Sequence, residues 1–247
     1  MRKMATTKEE RREMYLFCYN VFMFAGWLRI AYVLISGCLF CEAFNADLQA
    51  KLVRNTADGV LLLQLISTLE ILHSIFKMVK GSTLAVIGQT IGRDVVLFFF
   101  INKFNIIQHH WSAILTFLAW SLAEIIRYPY YASLIVDVCP QLLKWLRYSA
   151  FIVLYPLGFF AEFMTIYVGY KIFQEEGCYS CSSLLAAKTS VVAEQTKLPI
   201  FFTIGLGIYT FLAYAVCGPF IYYYMLKQRK RHIKHDETSS KKSKKQD

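Results

Sequence analysis

The sequence predicts an all-α polytopic membrane protein, a bundle of six transmembrane helices with both termini in the cytosol. Three observations carry that expectation. The 247 residues are 56% hydrophobic and only 18% charged, with a mean hydropathy of +0.40, whereas soluble domains are about a quarter charged. A soluble chain of this size has too little interior to hide so much apolar side chain. Six stretches approach the ~20 mostly apolar residues that a membrane-crossing helix needs. The net charge of +10 is gathered at the ends, with +2 over residues 1–13 and +6 over residues 227–247, and basic segments stay on the cytosolic side.

The spans fall at roughly 15–40, 59–79, 83–101, 111–133, 142–172 and 198–226. The first is too long for a signal peptide and lacks a small-residue cleavage site. The third is interrupted by Arg93 and Asp94. The fifth is long, so it should tilt or kink at Pro156. Two cytosolic tails require an even number of crossings. The loops at 77–82 and 134–147 then face the cytosol, and those at 42–58, 102–110 and 173–197 face the other side. Three parts result: a cytosolic tail over 1–14, a membrane domain over 15–226 and a basic, disordered cytosolic tail over 227–247.

Several functions are excluded or disfavoured. The basic tail holds no DNA- or RNA-binding motif, so no nucleic-acid partner is expected. There is no Gly-rich phosphate loop, GxSxG or HExxH. Seven cysteines sit mostly in apolar runs, as small hydrophobes do. Cys178-x-x-Cys181 is the one pair in a polar stretch, without a second CxxC or nearby His to complete a zinc set. No metal is expected, and a local disulfide is possible only if that stretch is lumenal.

Ionisable residues inside the spans carry most of the functional information. A charge at the bilayer centre costs about 2.5–3.5 kcal/mol on insertion scales. This chain keeps Arg29, Glu70, His73, Arg93, Asp94, Glu124, Arg127 and Glu162 there. Arg29 can snorkel. Glu124 and Arg127, three apart, suit an ion pair. Arg93 and Asp94 point differently, so each needs a partner on another helix. Glu124, Arg127 or Tyr128, and Tyr131 form one stripe on the fourth span. Tyr148, Tyr155 and Glu162 recur every seven residues on the fifth, and seven steps fall only ~20° short of two full turns. An acid on such a stripe within a span is a functional-site candidate by default.

These residues resemble the very-long-chain 3-hydroxyacyl-CoA dehydratase family, historically called protein-tyrosine-phosphatase-like proteins. The match is specific in EIIRYPYY at 124–131, in WLRYSAFIVLYPLG at 145–158 and in the following Glu162. LLQLISTLEILHSIFKMV at 62–79 is similar to the family's second span and YNVFMFAGW at 19–27 to its first. The chain departs from the family pattern at IGQTIGRD around Arg93 and at Phe159-Phe160. No HCx5R loop exists, so cysteine-phosphatase chemistry is excluded.

The resemblance implies Tyr155 and Glu162 as the catalytic pair in dehydrating a (3R)-3-hydroxyacyl-CoA to a trans-2-enoyl-CoA, the third step of fatty-acid elongation. A carboxylate and a phenol both move protons. Either can be the base, with Glu162 preferred. Arg93, Glu124, Arg127, Tyr128, Lys144, Arg147 and Tyr148 are the candidate substrate-binding residues. Coenzyme A carries phosphates and cannot enter lipid, so Lys80, Lys144 and Arg147 are placed at a cytosolic mouth. Trp145 to Tyr155 spans about 15 Å of helix for the pantetheine arm. No cofactor is needed. The expected partners are the acyl-CoA substrate, membrane lipid and the condensing enzyme, ketoreductase and enoyl reductase of elongation. Lys244-Lys245-Gln246-Asp247 resembles a dilysine retrieval signal, which implies the endoplasmic-reticulum membrane. The alternative is a catalytically silent membrane scaffold of the same family. A small-solute transporter would show inverted repeats, and the sequence contains no such symmetry.

Overall fold

The structure, a computed structural model, describes residues 8–40, 45–79 and 83–183, and beyond them only positions 205, 218–219, 222–223, 225–227 and 229–230; the side chains of 84–85 and 173–183 are not described. The described residues form helices and turns with no strand. In order these are α1 (Lys8–Leu39), α2 (Ala46–Ser67), α3 (Leu69–Ile75), α4 (Thr83–Val95), a π-helical turn (Val96–Ile101), α5 (Asn105–Gln108), α6 (Trp111–Ile135), α7 (Gln141–Ser149) and α8 (Phe151–Ser183). Among the described residues, three stretches are long and apolar enough to cross a membrane: Lys8–Leu39, Ala46–Ile75 and Phe151–Ile172. Most of the expected sixth span, the dilysine end and the Cys178 and Cys181 side chains lie outside the described residues.

Local chemistry sets the element ends. Asn45 caps α2, its side chain accepting from the Leu48 N–H at 2.9 Å. Ser67 and Thr68 both turn their hydroxyls back onto the preceding turn, to Gln64 O at 2.7 Å and Leu65 O at 2.6 Å. Such back-bonding loosens a helix, and α2 passes into α3 at Thr68. Lys77 and Asp137 adopt positive φ (52° and 55°) just past α3 and α6. The chain closes behind each, Met78 N–H to His73 O at 2.8 Å and Val138 N–H to Ser133 O at 3.1 Å, the 6→1 bond of a Schellman cap. In the π turn the Asn102 N–H reaches back five residues to Leu97 O, and Gln108 donates to the terminal Ile101 carbonyl at 3.0 Å.

The structure departs from the sequence expectation in where helices begin, end and break. The 42–58 stretch, expected as a loop, is helical from Ala46. Its charges hide an amphipathic pattern: Lys51, Arg54 and Asp58 face outward, while Ala50, Val53, Thr56 and Val60 are buried. α8 likewise runs to Ser183, into the expected 173–197 loop. Helix α8 also passes through Pro156 without interruption, and the break between α7 and α8 lies earlier, at Ala150. There the Ala150 carbonyl accepts from both Val153 and Leu154.

Packing follows from small residues. α1 and α2 run antiparallel, with Gly26 against Leu63, Gly37 against Leu52 and Ile30 against Gly59. α6 lies between α1 and α8. It meets α8 antiparallel, Ala119 beside Gly158 and Ser112 beside Thr165. The shared core includes Met23, Trp27, Leu34, Phe100, Ile107, Phe117 and Trp120. Polar side chains share this interior: Ser112, Thr116, Ser121, Thr165, Gln64 and Glu124 are buried, while large apolar residues such as Tyr32, Leu39, Phe76 and Val153 are exposed. Exposed apolar residues of this size suit lipid.

Candidate functional site

Arg93, Glu124, Arg127 and Tyr128, four of the candidate substrate-binding residues, come together in one buried ladder. Glu124, 1% exposed, sits between two guanidinium groups, Arg93 from α4 and Arg127 from its own helix. The expected i,i+3 pair therefore forms, and Arg93 finds its partner on α6. Arg127 continues to Glu70 of α3 with two parallel bonds of 2.6 and 2.9 Å. Glu70 also accepts from the Tyr128 hydroxyl at 2.7 Å and from Tyr19 of α1 at 3.1 Å. Two acids and two guanidinium groups balance, as buried charges must. Beside them, Tyr15 and His73 are hydrogen-bonded at 2.9 Å. Asp94 faces Gln64 of α2. A small recess opens between α2, α3, α4 and α6, lined by Gln64, Ser67, Glu70, Gln89, Thr90, Arg93 and Arg127.

The second group lies where α6 meets α8. Trp120 donates its indole N–H to Glu162 Oε1 at 2.6 Å. Arg93 stands over the same indole, 5.4 Å from its centroid, so one guanidinium joins the ladder to the acid's neighbour. The Tyr155 ring stacks on Phe159 (5.6 Å) and on Tyr222 (5.8 Å), and its hydroxyl donates to the Gly218 carbonyl at 3.2 Å. Tyr155 and Glu162 thus sit on one helix, each held by side chains from elsewhere. Phe159, one of the two bulky departures from the family pattern, is the residue that braces Tyr155. Phe160, the other, stacks on Trp111 instead (5.8 Å).

The third group is at the C-terminal end of α7, where it joins α8. Tyr148 lies on α7, across the Ala150 break from Tyr155. It meets the Tyr130 hydroxyl at 3.1 Å. Arg147 reaches the Tyr131 hydroxyl at 3.3 Å and stands over that ring. Arg229 approaches Ser149 at 3.4 Å. Lys144 is on the same short helix.

Sequence reasoning missed Trp120, Tyr19 and Tyr130 as site residues and noted Glu70 only as an intramembrane charge. A signal existed for Trp120: it precedes Glu124 by one turn, so a residue bound to Glu124 can also lie over its ring. Nothing local signals Tyr19, whose contact spans 51 residues. Among the described residues no group of three or more His, Cys, Asp or Glu could hold a metal ion.

A protein family described as protein tyrosine phosphatase-like protein, PTPLA, matches residues 64–235. Very-long-chain (3R)-3-hydroxyacyl-CoA dehydratase 2 of Homo sapiens is 31% identical over 232 residues, covering 92% of this chain and 84% of that protein. The dehydratase 1 of Mus musculus is 28% identical over 229 residues, 91% of this chain and 74% of that protein. The dehydratase 3 of Mus musculus is 26% identical over 224 residues, 88% and 56% respectively. No solved structure matches.

Proposed function

Because the chain belongs to the protein tyrosine phosphatase-like family, PTPLA, we propose that it is a very-long-chain (3R)-3-hydroxyacyl-CoA dehydratase of fatty-acid elongation. The observation that carries this reading is that Tyr155 and Glu162 lie on one helix, α8, with Glu162 held by Trp120 at the α6–α8 contact. In the reaction the Cα–H bond breaks and its electron pair becomes the new C=C bond. The Cβ–O bond breaks as the hydroxyl takes a proton and leaves as water. Glu162 removes the α-proton, and the Tyr155 phenol supplies the proton to the leaving hydroxyl.

The acyl chain lies in the membrane, and the coenzyme A head group meets Arg147 and Lys144 on α7 at the cytosolic mouth. Arg147 is at the same end as Arg229, which supports a cationic rim there. Six crossings with cytosolic termini in the endoplasmic-reticulum membrane complete the reading. Two contacts support that topology. Asp47 approaches His109 at 3.8 Å, which joins two loops assigned to the far side. Ser74 bonds Thr83 at 2.8 Å, across the loop assigned to the cytosol. The condensing enzyme, ketoreductase and enoyl reductase of elongation are the proposed protein partners.

The test is direct. Purified protein in nanodiscs is given (3R)-3-hydroxyacyl-CoA of graded chain length, and enoyl-CoA is measured by mass spectrometry. Tyr155→Phe and Glu162→Gln should each lower turnover about 10²- to 10⁴-fold, the range of general acid–base catalysis. Folded wild-type protein that makes no enoyl-CoA would favour the scaffold, and full turnover by both variants would remove the catalytic assignment.

A further inference from the structure

We propose that Trp120 is a positioning residue that holds Glu162 in its role as the α-proton acceptor, and that Arg93 clamps Trp120 in place. The inference rests on the dehydratase reading and deepens it.

The indole nitrogen is a donor only. Its 2.6 Å contact therefore has Glu162 Oε1 as the acceptor. It fixes how the carboxyl group is turned on α8, whichever way the proton moves in the reaction.

Burial alone does not force the pairing. Trp27 is buried at 1% exposure, and its indole N–H has no hydrogen-bond partner among the described residues. The fold therefore tolerates an unsatisfied indole, yet the one beside Glu162 is satisfied. Trp120 is itself 2% exposed and packs against Phe117 at 6.1 Å. Arg93 covers its ring while bound to Glu124, one turn along α6. Swinging the indole away would break the Glu162 bond and the cation–π contact together. The rest of the ladder, Glu124 to Arg127 to Glu70, anchors Arg93 from behind. An indole does not pass protons, so this chain of contacts aligns the acid and is not a proton wire. Catalytic groups lose rate steeply when displaced by an ångström.

Full-length protein in nanodiscs provides the test, in two arms. In the first, Trp120→Phe keeps an aromatic ring under Arg93 and removes the N–H. It should lower kcat about 10- to 100-fold, the usual effect of losing a supporting contact, with KM within about twofold. Wild-type kcat would overturn the proposal, and so would a rise in KM at unchanged kcat. The second arm needs no Trp120 variant to fold. In protein labelled with ¹⁵N-tryptophan and assigned by substituting the other three tryptophans, the Trp120 indole N–H resonance should move upfield in Glu162→Leu. An unmoved resonance would overturn the contact. The dehydratase reading fails separately, through full turnover by Glu162→Gln, and that result leaves the resonance experiment intact.

Discussion

Two acids on neighbouring helices, Glu124 and Glu162, are held in different ways by this protein. Glu124 lies between two guanidinium groups that also bind elsewhere, Arg127 to Glu70 and Arg93 to the face of Trp120. Glu162 is addressed by the neutral N–H of that same Trp120. A carboxylate locked between two cations in a bilayer interior is held ionised and immobile, which suits an anchor. An acid engaged by a neutral donor is turned and held by that donor, as the proposed role of Glu162 requires. The contrast teaches that intramembrane charge alone does not set what an acid does, and Arg93 belongs to both arrangements.

The sharpest way to break this comparison is to exchange the expected failures. Glu124→Leu leaves two guanidinium groups facing one acid, and removing one partner of a buried pair costs about 3–5 kcal/mol. Chemical denaturation in mixed micelles should show that loss, whereas Glu162→Gln should lose turnover and keep its unfolding midpoint. Adding Arg93→Met to Glu124→Leu restores the charge balance around Arg127 and Glu70, so the double variant should be more stable than Glu124→Leu alone. A Glu124→Leu protein as stable as wild type but without turnover would move Glu124 to the catalytic side.

A smaller effect compares how tightly the two halves are packed. A Cβ at Gly169 on α8 would lie 2.3 Å from the Phe100 ring, itself fully buried in the π turn. A Cβ at Gly26 would lie 2.5 Å from a Leu63 methyl, the free end of a side chain that can turn aside. One at Gly59 would meet Ile30 at an ordinary 3.7 Å. Overpacking costs about 1–3 kcal/mol, so Gly169→Ala should be the most destabilising, Gly26→Ala intermediate and Gly59→Ala neutral or slightly stabilising through helix propensity. Thermal unfolding of the three variants ranks them. A reversed order would mean that the α8 side is the looser half.

How much of this could be read from the chain follows the range of the contacts. The Glu124–Arg127 pair is three residues long and was legible as such. So was the need for a partner at Arg93, although not its identity, because the Arg93–Glu124 contact spans 31 residues. The helical start of α2 was hidden because a window averages hydropathy around the helix, and Lys51, Arg54 and Asp58 share the outward face. The seven-residue repeat correctly set Tyr155 and Glu162 on one helix but carried Tyr148 past the break at Ala150. Trp120 falls inside the fourth apolar span. Its role depends on α8 arriving antiparallel with Glu162 at the same level, which no local pattern encodes.

The smallest effect concerns the end of α6, on the Glu162 side of the contrast. His110, in the turn just before α6, caps that helix, with Nδ1 accepting from the Ser112 N–H at 3.3 Å and facing the Ser112 hydroxyl at 2.9 Å. Thr165 of α8 donates to that same hydroxyl, which ties the cap to α8. Burial pushes the His110 imidazole below its ordinary value of 6.5. The neutral form is therefore the one the fold favours, and it is the only form whose Nδ1 can accept. As pH falls through 6.5 the unfolded chain binds a proton that the folded chain resists, so this contribution is whole above 6.5 and is lost as pH drops through the lowered folded value. A side-chain cap is worth about 1 kcal/mol, which bounds the effect. His110→Asn keeps a capping oxygen and removes the titration. Unfolding midpoints at pH 7.5, 6.5 and 5.5 should converge or cross in favour of the variant as the pH is lowered, and a constant difference across that range would show that the cap does not depend on the neutral ring.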